Sequence, residues 1–209
     1  MTFHARGKEF KRQMIEEGAY QLFSSRTYES VTVEDLARHL GCGKGTIYRY
    51  FENKDHLLSK LVASGLSQLC DDMKTDCVNN PDVMEAMKRY LSLQYHFFLA
   101  YNTILSSWSR RRLEMAIKPE WYDEIQTLLN LKVKMLAGIL DRGIEEGIIM
   151  KVNSGQLASL LESLVRDATF FPFSESRPRN QDEDGMLDLM TAIFIKGIMS
   201  EGVKMENPG

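Results

Sequence analysis

Apolar residues recur every three to four positions along most of this chain, and strict apolar–polar alternation is almost absent. That period belongs to amphipathic helices, so the chain reads as all-α. Ile15, Ala19, Leu22 and Phe23 fall at i, i+4, i+7 and i+8 and predict a first helix from near Arg6 to Ser25. Arg26 to Ser30 ends it. Thr32 then reads as an N-cap, with Glu34 and Asp35 in the first turn beside the positive helix end. Val33, Leu36, Ala37 and Leu40 form a short second stripe that Gly41 stops. A third short helix is expected from about Lys44 to Phe51. Asn53 caps a fourth, whose stripe from Leu57 to Leu69 can continue to about Cys77 before Asn79-Asn80-Pro81.

Beyond Asp82 the pattern predicts long helices. One covers 82–101 and is rich in aromatics; a less regular one covers 103–117. Pro119 suits the first turn of a helix reaching towards Gly147. Asn153 or Ser154 caps another, carrying Leu157, Leu160, Leu161, Leu164, Ala168 and Phe171. Pro172 to Asp184 reads as a polar loop, and a last helix starts near Gly185.

Composition is that of an ordinary globular chain: 209 residues, 44% apolar and 26% charged. Charge sharpens the picture. The net charge is −3, but residues 1–60 carry +2 and the remainder −5, a mildly basic head on an acidic body. That suits a protein presenting one end to phosphates. Three sparse cysteines, Cys42, Cys70 and Cys77, fit a reducing cytosol, and a cytoplasmic location is expected. Cys70 and Cys77, seven positions apart on one helix, would be roughly 10 Å apart, too far to pair. No apolar run approaches a membrane span, and the charged N-terminus lacks an apolar signal core.

The informative stretch is Thr32 to Lys54, TVEDLARHLGCGKGTIYRYFENK. Two short helices flank a tight glycine turn; the first is apolar on one side, and the second carries few apolar residues and many donors. This is the arrangement that places a second helix in a major groove about 12 Å wide. Spacing alone does not decide, because any two amphipathic helices around a glycine look alike. Residue content adds to it. Gly45 and Thr46 are small and permit close approach to base edges. Lys44, Arg49 and Lys54 supply donors for phosphate or guanine, and the hydroxyls of Tyr48 and Tyr50 can bond phosphate oxygens. The helix start at Lys54 adds amide donors at a positive dipole end.

Gly45-Thr46-Ile47-Tyr48-Arg49-Tyr50-Phe51, then Lys54 and Leu57-Leu58, with Thr32-Val33-Glu34-Asp35-Leu36-Ala37 upstream, closely resembles the DNA-binding domain of the tetracycline-repressor (TetR) family over about residues 10–62. The resemblance implies DNA contacts by Thr32, Lys44, Gly45, Thr46, Tyr48, Tyr50 and Lys54, with Ile47 and Phe51 in the core. It implies a three-helix helix-turn-helix domain, residues 1–53, followed by a helical ligand-binding and dimerisation domain, residues 54–209. Three positions depart from the usual pattern: Thr27 stands where glycine is common, Leu40 where alanine is common, and Gly43 replaces a frequent serine cap, a change worth only a few tenths of a kcal/mol.

Rival chemistries find little support. Gly41-Cys42-Gly43-Lys44-Gly45-Thr46 is not a phosphate loop: Arg38 stands where the first glycine belongs, and Gly45 follows the lysine instead of Ser or Thr. A dinucleotide fingerprint fails at Thr46. His4, His39, His56 and His96 show no metal-ligand spacing, and no nucleophile–base pair is suggested, so neither an enzyme, a metal nor a cofactor is expected. A helical enzyme is the weak alternative. Arg110-Arg111-Arg112 reads as a solvated helix face or loop.

Aromatics and methionines crowd the middle of the chain. Most must be core, and a minority suit the wall of a cavity for an apolar or aromatic ligand, with Tyr95, Phe98, Trp108, Trp121 and Tyr122 as the expected contacts. The expected function is a transcriptional regulator, a repressor released from double-stranded operator DNA by a small ligand. The alternative is a DNA-binding regulator without an inducer. One head reads too few base pairs for a specific site, so a homodimer is expected. In the family the last two helices pair with their two-fold copies as a four-helix bundle; Leu160, Leu164, Phe171, Met190, Ile193 and Gly197 are the corresponding candidates. The fourth helix, beginning beside Lys54 and passing the body, would act as a lever of roughly 35 Å between ligand and DNA.

Overall fold

The computed structural model describes residues 3–170 and 183–199. Eight helices account for most of them: α1 (Phe3–Ser25), α2 (Val33–His39), α3 (Lys44–Tyr48), α4 (Lys54–Met73), α5 (Val83–Leu113), α6 (Pro119–Glu145), α7 (Ser154–Phe170) and α8 (Glu183–Ile198). A short 3-10 turn, Tyr28–Ser30, follows α1, and a π-helical turn, Lys74–Val78, ends α4. Among the described residues there is no strand, only an antiparallel bridge between Ile149 and Met199. No helix is long and apolar enough to cross a membrane.

Local chemistry sets most boundaries. Thr32 caps α2, Asn53 Oδ1 accepts from the His56 amide at 2.8 Å at the start of α4, and Asn153 Oδ1 accepts from the Gln156 amide at 2.8 Å at the start of α7. Gly41, at φ +62°, turns the chain out of α2. One boundary differs from the sequence expectation. The expected break near residue 102 does not occur, and α5 is a single helix of 31 residues. Nothing between 83 and 113 is Gly or Pro, and the polar residues there turn back onto the helix itself, as when the Ser107 hydroxyl donates to the Thr103 carbonyl at 2.7 Å.

The described residues divide into two compact units. The first draws on Met1–Ser67 and Ala100–Leu128, the second on Gln68–Leu99 and Leu129–Gly209. In the first, α1 contributes Ile15, Ala19 and Phe23 to a core completed by Leu36, Ile47 and Leu58. Leu40 lies over Gly18, where a Cβ would fall 2.6 Å from its Cδ2, so the larger residue at 40 is matched by the smallest one at 18.

In the second unit α7 and α8 each have a buried and a bare face. Leu161 and Val165 are buried, whereas Leu160 and Leu164, on the other side of α7, are 56% and 43% exposed. On α8, Met190, Ile195 and Ile198 are buried while Leu189 and Ile193 are 54% and 59% exposed. Of the residues expected to pair between copies, Leu160, Leu164, Ile193 and Gly197 are therefore at the surface, Met190 packs within its own chain, and Phe171 lies outside the described residues.

Candidate nucleic-acid interface

The interface is built on the N-terminus of α2 and the whole of α3. Thr32 Oγ1 accepts from the Asp35 amide at 3.0 Å, and the Asp35 carboxylate accepts from the Thr32 amide at 3.0 Å and the Thr32 hydroxyl at 2.6 Å. This reciprocal box fixes the start of α2. The hydroxyl of Thr32, backed by its amide and then by Arg38, holds the Asp35 carboxyl below its ordinary pKa. At the other end, the Cys42 amide donates to the Ala37 carbonyl at 2.9 Å and closes the turn.

Helix α3 follows from Gly43, which is extended and offers no side-chain cap. It is shorter than its sequence suggests, since regular helix stops at Tyr48 and the chain continues as a turn in which the Tyr50 and Phe51 amides both donate to the Ile47 carbonyl. Ile47 and Phe51 are buried and tether this segment. Everything else on α3 is polar or small. Lys44, Gly45, Tyr48 and Arg49 are exposed and Thr46 is half-buried. Tyr48 is a 51% exposed aromatic beside a helix that anchors itself through Ile47 alone, which leaves its hydroxyl presented outward. Lys44 reaches Glu34 of α2 in an exposed ion pair, and the Arg49 guanidinium lies 5.4 Å over the ring of the half-buried Tyr50. Thr32, Lys44, Gly45, Thr46, Tyr48 and Arg49 thus share one short helix-turn-helix stretch.

Lys54 is placed differently from the others. Its ammonium bonds the Tyr28 carbonyl and sits 3.7 Å over the Tyr28 ring, and burial lowers its pKa. It fastens the start of α4 to the chain between α1 and α2. Beside it, Asp55 accepts from the Tyr28 hydroxyl at 2.7 Å and takes a two-pronged contact from Arg111 Nε and Nη2 at 2.7 and 2.8 Å. The fork–fork geometry fixes direction as well as distance. Arg110 pairs with Glu29 at 2.9 Å, Arg112 donates to the Tyr122 hydroxyl at 2.6 Å, and Lys118 pairs with Glu52. The three arginines, read from sequence as a solvated run, are thus an anchor in which Arg110 and Arg112 are exposed and Arg111 is half-buried. No local period signals a pair 56 positions apart.

His56 completes the start of α4. Its Nδ1 accepts from the Glu52 amide at 3.1 Å, and its ring stacks on Trp121 at 4.7 Å. Trp108 stacks on Tyr122 at 6.1 Å. Of the five aromatics expected at a ligand, Trp108, Trp121 and Tyr122 belong to the first unit, and Tyr95 and Phe98 to the second.

Two groups here give the first unit a pH dependence. Burial pushes His56 below the ordinary imidazole value, against the opposing charge of Glu52. For Asp55, burial raises the carboxyl pKa, but the hydrogen bonds from Arg111 and Tyr28 outweigh it and the net direction is down. Both groups favour their deprotonated forms when folded. Their stabilisation is complete above the unfolded pKa values, about 6.5 for His and about 3.9 for Asp, and is lost as pH falls through the folded values. The melting temperature is expected to fall between pH 7 and pH 5. A His56→Phe variant, which keeps the stacking on Trp121, is expected to flatten that fall, and an unchanged slope would refute the assignment to His56.

Comparison with known proteins agrees with this geometry. Residues 15–61 match the family described as bacterial regulatory proteins, tetR family. The chain is 27% identical over 146 residues to the fatty acid metabolism regulator protein of Bacillus subtilis (strain 168), spanning 68% of this chain and 72% of that one. It resembles the solved structure of the transcriptional regulator FadR from Bacillus subtilis in complex with stearoyl-CoA, with a TM-score of 0.73 at 19% identity over 89% of this chain and 98% of the other. The TetR family transcriptional regulator PfmR from Thermus thermophilus is similar at a TM-score of 0.68 and 22% identity, over 87% and 97% of the two chains. At these identities the two solved structures speak for the fold.

Proposed function

Because this chain belongs to the TetR family of bacterial transcriptional regulators, we propose that it is a homodimeric repressor that reads operator DNA with α3 and is released by an acyl-bearing ligand held in its second unit. The observation that carries the DNA half is the composition of α3: Ile47 is its only buried residue, and the rest is small, hydroxylated or cationic and faces outward. Residues 1–53 act as the reading head and 54–209 as the ligand-binding and dimerising body.

The roles divide by exposure. Lys44 and Arg49 meet phosphates or guanine, Gly45 and Thr46 allow the helix start to approach base edges, and Tyr48, Tyr50 and Thr32 offer hydroxyls. Lys54 acts through position, holding the N-terminus of α4 against Tyr28 so that its amides face the backbone. Helix α4 runs unbroken for 20 residues, about 30 Å, from Lys54 to Met73. A displacement at its Met73 end is thereby carried to Lys54. In a dimer whose half-sites lie about 34–36 Å apart, a shift of a few ångströms spoils simultaneous docking.

The ligand half rests on a relative named for fatty acid metabolism and a neighbour solved with stearoyl-CoA. Repression follows from linkage: a ligand that prefers the non-binding arrangement lowers operator affinity by the same factor by which operator lowers ligand affinity.

The test is selection of bound duplexes from random DNA at low salt. A two-fold symmetric consensus is expected, and the absence of any preferred sequence would overturn the reading. On the selected site, Lys44→Ala is expected to weaken all sequences alike and to reduce the salt slope by about one. Tyr48→Ala or Thr46→Ala is expected to weaken the selected site more than random DNA. Equal loss on both would remove these residues from sequence readout.

A further inference from the structure

The second unit buries a polar cluster that DNA reading does not use. Lys132 of α6 is 1% exposed, and its Nζ lies 2.6 Å from Glu162 Oε2 of α7 and 2.9 Å from Gln94 Oε1 of α5. The Tyr90 hydroxyl, also on α5, donates to Glu162 Oε1 at 2.8 Å. The Gln94 amide reaches the sulfur of Met73, the last residue of α4, at 3.4 Å. One ammonium therefore gathers the middle of three helices and, through Gln94, the end of a fourth.

The hydrogen-bond inventory of this cluster is unbalanced. An ammonium carries three protons, and Lys132 directs two of them at oxygens; it also lies 5.3 Å from the ring centre of Phe98 and near the Cys70 thiol, a weak acceptor. Gln94 gives an amide proton to a thioether, which is a weak acceptor. Glu162 already receives two donors, and burial and the nearby carboxylate keep the Tyr90 hydroxyl protonated. The valences left poorly used are donors, and they sit next to one another on Lys132 and Gln94. The positions one turn away on the same helices, Leu91 and Phe98 on α5 and Leu136 on α6, are apolar and buried. A buried ion pair is often no more stabilising than well-packed apolar residues of like volume, so the cluster is not needed to hold the core together.

We infer that Lys132 and Gln94 receive the acyl oxygen of a long-chain ligand, whose hydrocarbon lies along the apolar positions of α5 and α6. This rests on the reading of the second unit as the ligand-binding body and sharpens it, since a ligand without an oxygen acceptor leaves both donors as they are. The charge of Lys132 is already matched by Glu162, so a neutral thioester carbonyl enters without adding a second negative charge, whereas a free carboxylate adds one. Gln94 turning from Met73 towards the ligand frees the end of α4, which is where a lever acting on DNA must be moved.

The experiment is calorimetric titration of the full-length protein with stearoyl-CoA, stearate and coenzyme A alone, with operator binding of the same preparation measured in parallel. Stearoyl-CoA is expected to bind most tightly, stearate more weakly, and coenzyme A alone not detectably. The paired variant Lys132→Met with Glu162→Leu removes both charges together, leaving the Tyr90 hydroxyl and the Gln94 carbonyl without these partners, and Gln94→Leu leaves the ion pair in place. Each is expected to weaken stearoyl-CoA about 10- to 100-fold, the worth of a hydrogen bond to a charged or buried donor, while melting cooperatively. The paired variant, which keeps the Gln94–Met73 contact, is expected to bind operator as before, whereas Gln94→Leu, which removes it, is expected to weaken operator binding. If the wild type binds an acyl probe and both folded variants bind it equally well, the cluster is not the site, although the ligand reading stands. If the wild type binds operator but neither acyl probe, the inference fails and the DNA-binding reading stands. If stearate binds more tightly than stearoyl-CoA, the neutral-carbonyl argument is overturned.

Discussion

A carboxylate placed at Leu164 or Ile193 is expected to convert a dimer into monomers and to remove specific operator binding. The single chain leaves one face of α7 and one of α8 bare. Leu160 and Leu164 lie one turn apart on α7, and Leu189 and Ile193 one turn apart on α8, all between 43% and 59% exposed. The opposite faces of the same helices are fully used, by Leu161 and Val165 and by Met190 and Ile195. Fully burying one such aliphatic side chain is worth about 1.5–3 kcal/mol, and in a two-fold interface each residue counts twice. With about half of each side chain left for the partner to cover, Leu164→Asp or Ile193→Asp therefore raises the dimer dissociation constant by about ten- to a hundredfold or more. Operator binding falls with it, because one head alone reads too few base pairs. Sedimentation at micromolar concentration and gel shift on the selected site measure the two effects. Leu113→Asp, at the last residue of α5, and Met115→Asp, just beyond it, make the same chemical change at residues 83% and 91% exposed, and both are expected to change neither. A dimer that survives both substitutions on α7 and α8 would move the interface elsewhere.

What the sequence made legible is what short-range chemistry controls. Thr32, Asn53 and Gly41 announce their roles because a cap or a left-handed turn is satisfied within a few residues. Ile47 and Phe51 as the two anchors of an otherwise polar segment came from the family resemblance, and both are buried. The continuity of α5 was harder, since Asn102 and Thr103 look like a break until neighbouring turns are seen to absorb their polar groups. Long-range pairings were not legible. Periodicity says which face of a helix is buried but not which residue of another helix it meets, so Asp55 with Arg111 and Tyr28 could not be read from the chain.

The buried cluster lies between these cases, because a signal was present. Lys132 stands on the apolar stripe of α6, four positions after Leu128 and four before Leu136, and Gln94 stands in line with Tyr90 and Phe98 on α5. A polar residue on an apolar stripe is a question about a partner, and the stripe alone does not say that the partner of Lys132 is Glu162. Recognising the family leaves that question open, since the matched residues 15–61 end well before it.

That pair yields the largest stability effect to be expected from a single side chain. Lys132→Met removes the cation and leaves Glu162, 9% exposed, with the Tyr90 hydroxyl as its one described donor. Breaking a buried pair from one side costs about 3–5 kcal/mol, because the surviving charge has lost its counter-ion and has little water to replace it. For a chain of this size each kcal/mol moves the melting temperature by about 2–4 °C, so a fall on the order of 10 °C is expected. Glu162→Leu alone strands the ammonium with Gln94 and is expected to cost a similar amount. The two substitutions together are not expected to add: the Lys132→Met/Glu162→Leu protein should melt well above the sum of the two single losses, since neither charge remains to be solvated, and below the wild type only by the cost of the Tyr90 hydroxyl and the Gln94 carbonyl left without these partners. Circular dichroism melts of the four proteins form a double-mutant cycle, and its coupling energy is the quantity to compare. Additive losses would mean that the two side chains do not compensate each other, and would place the ammonium and the carboxylate in contact with water instead of with one another.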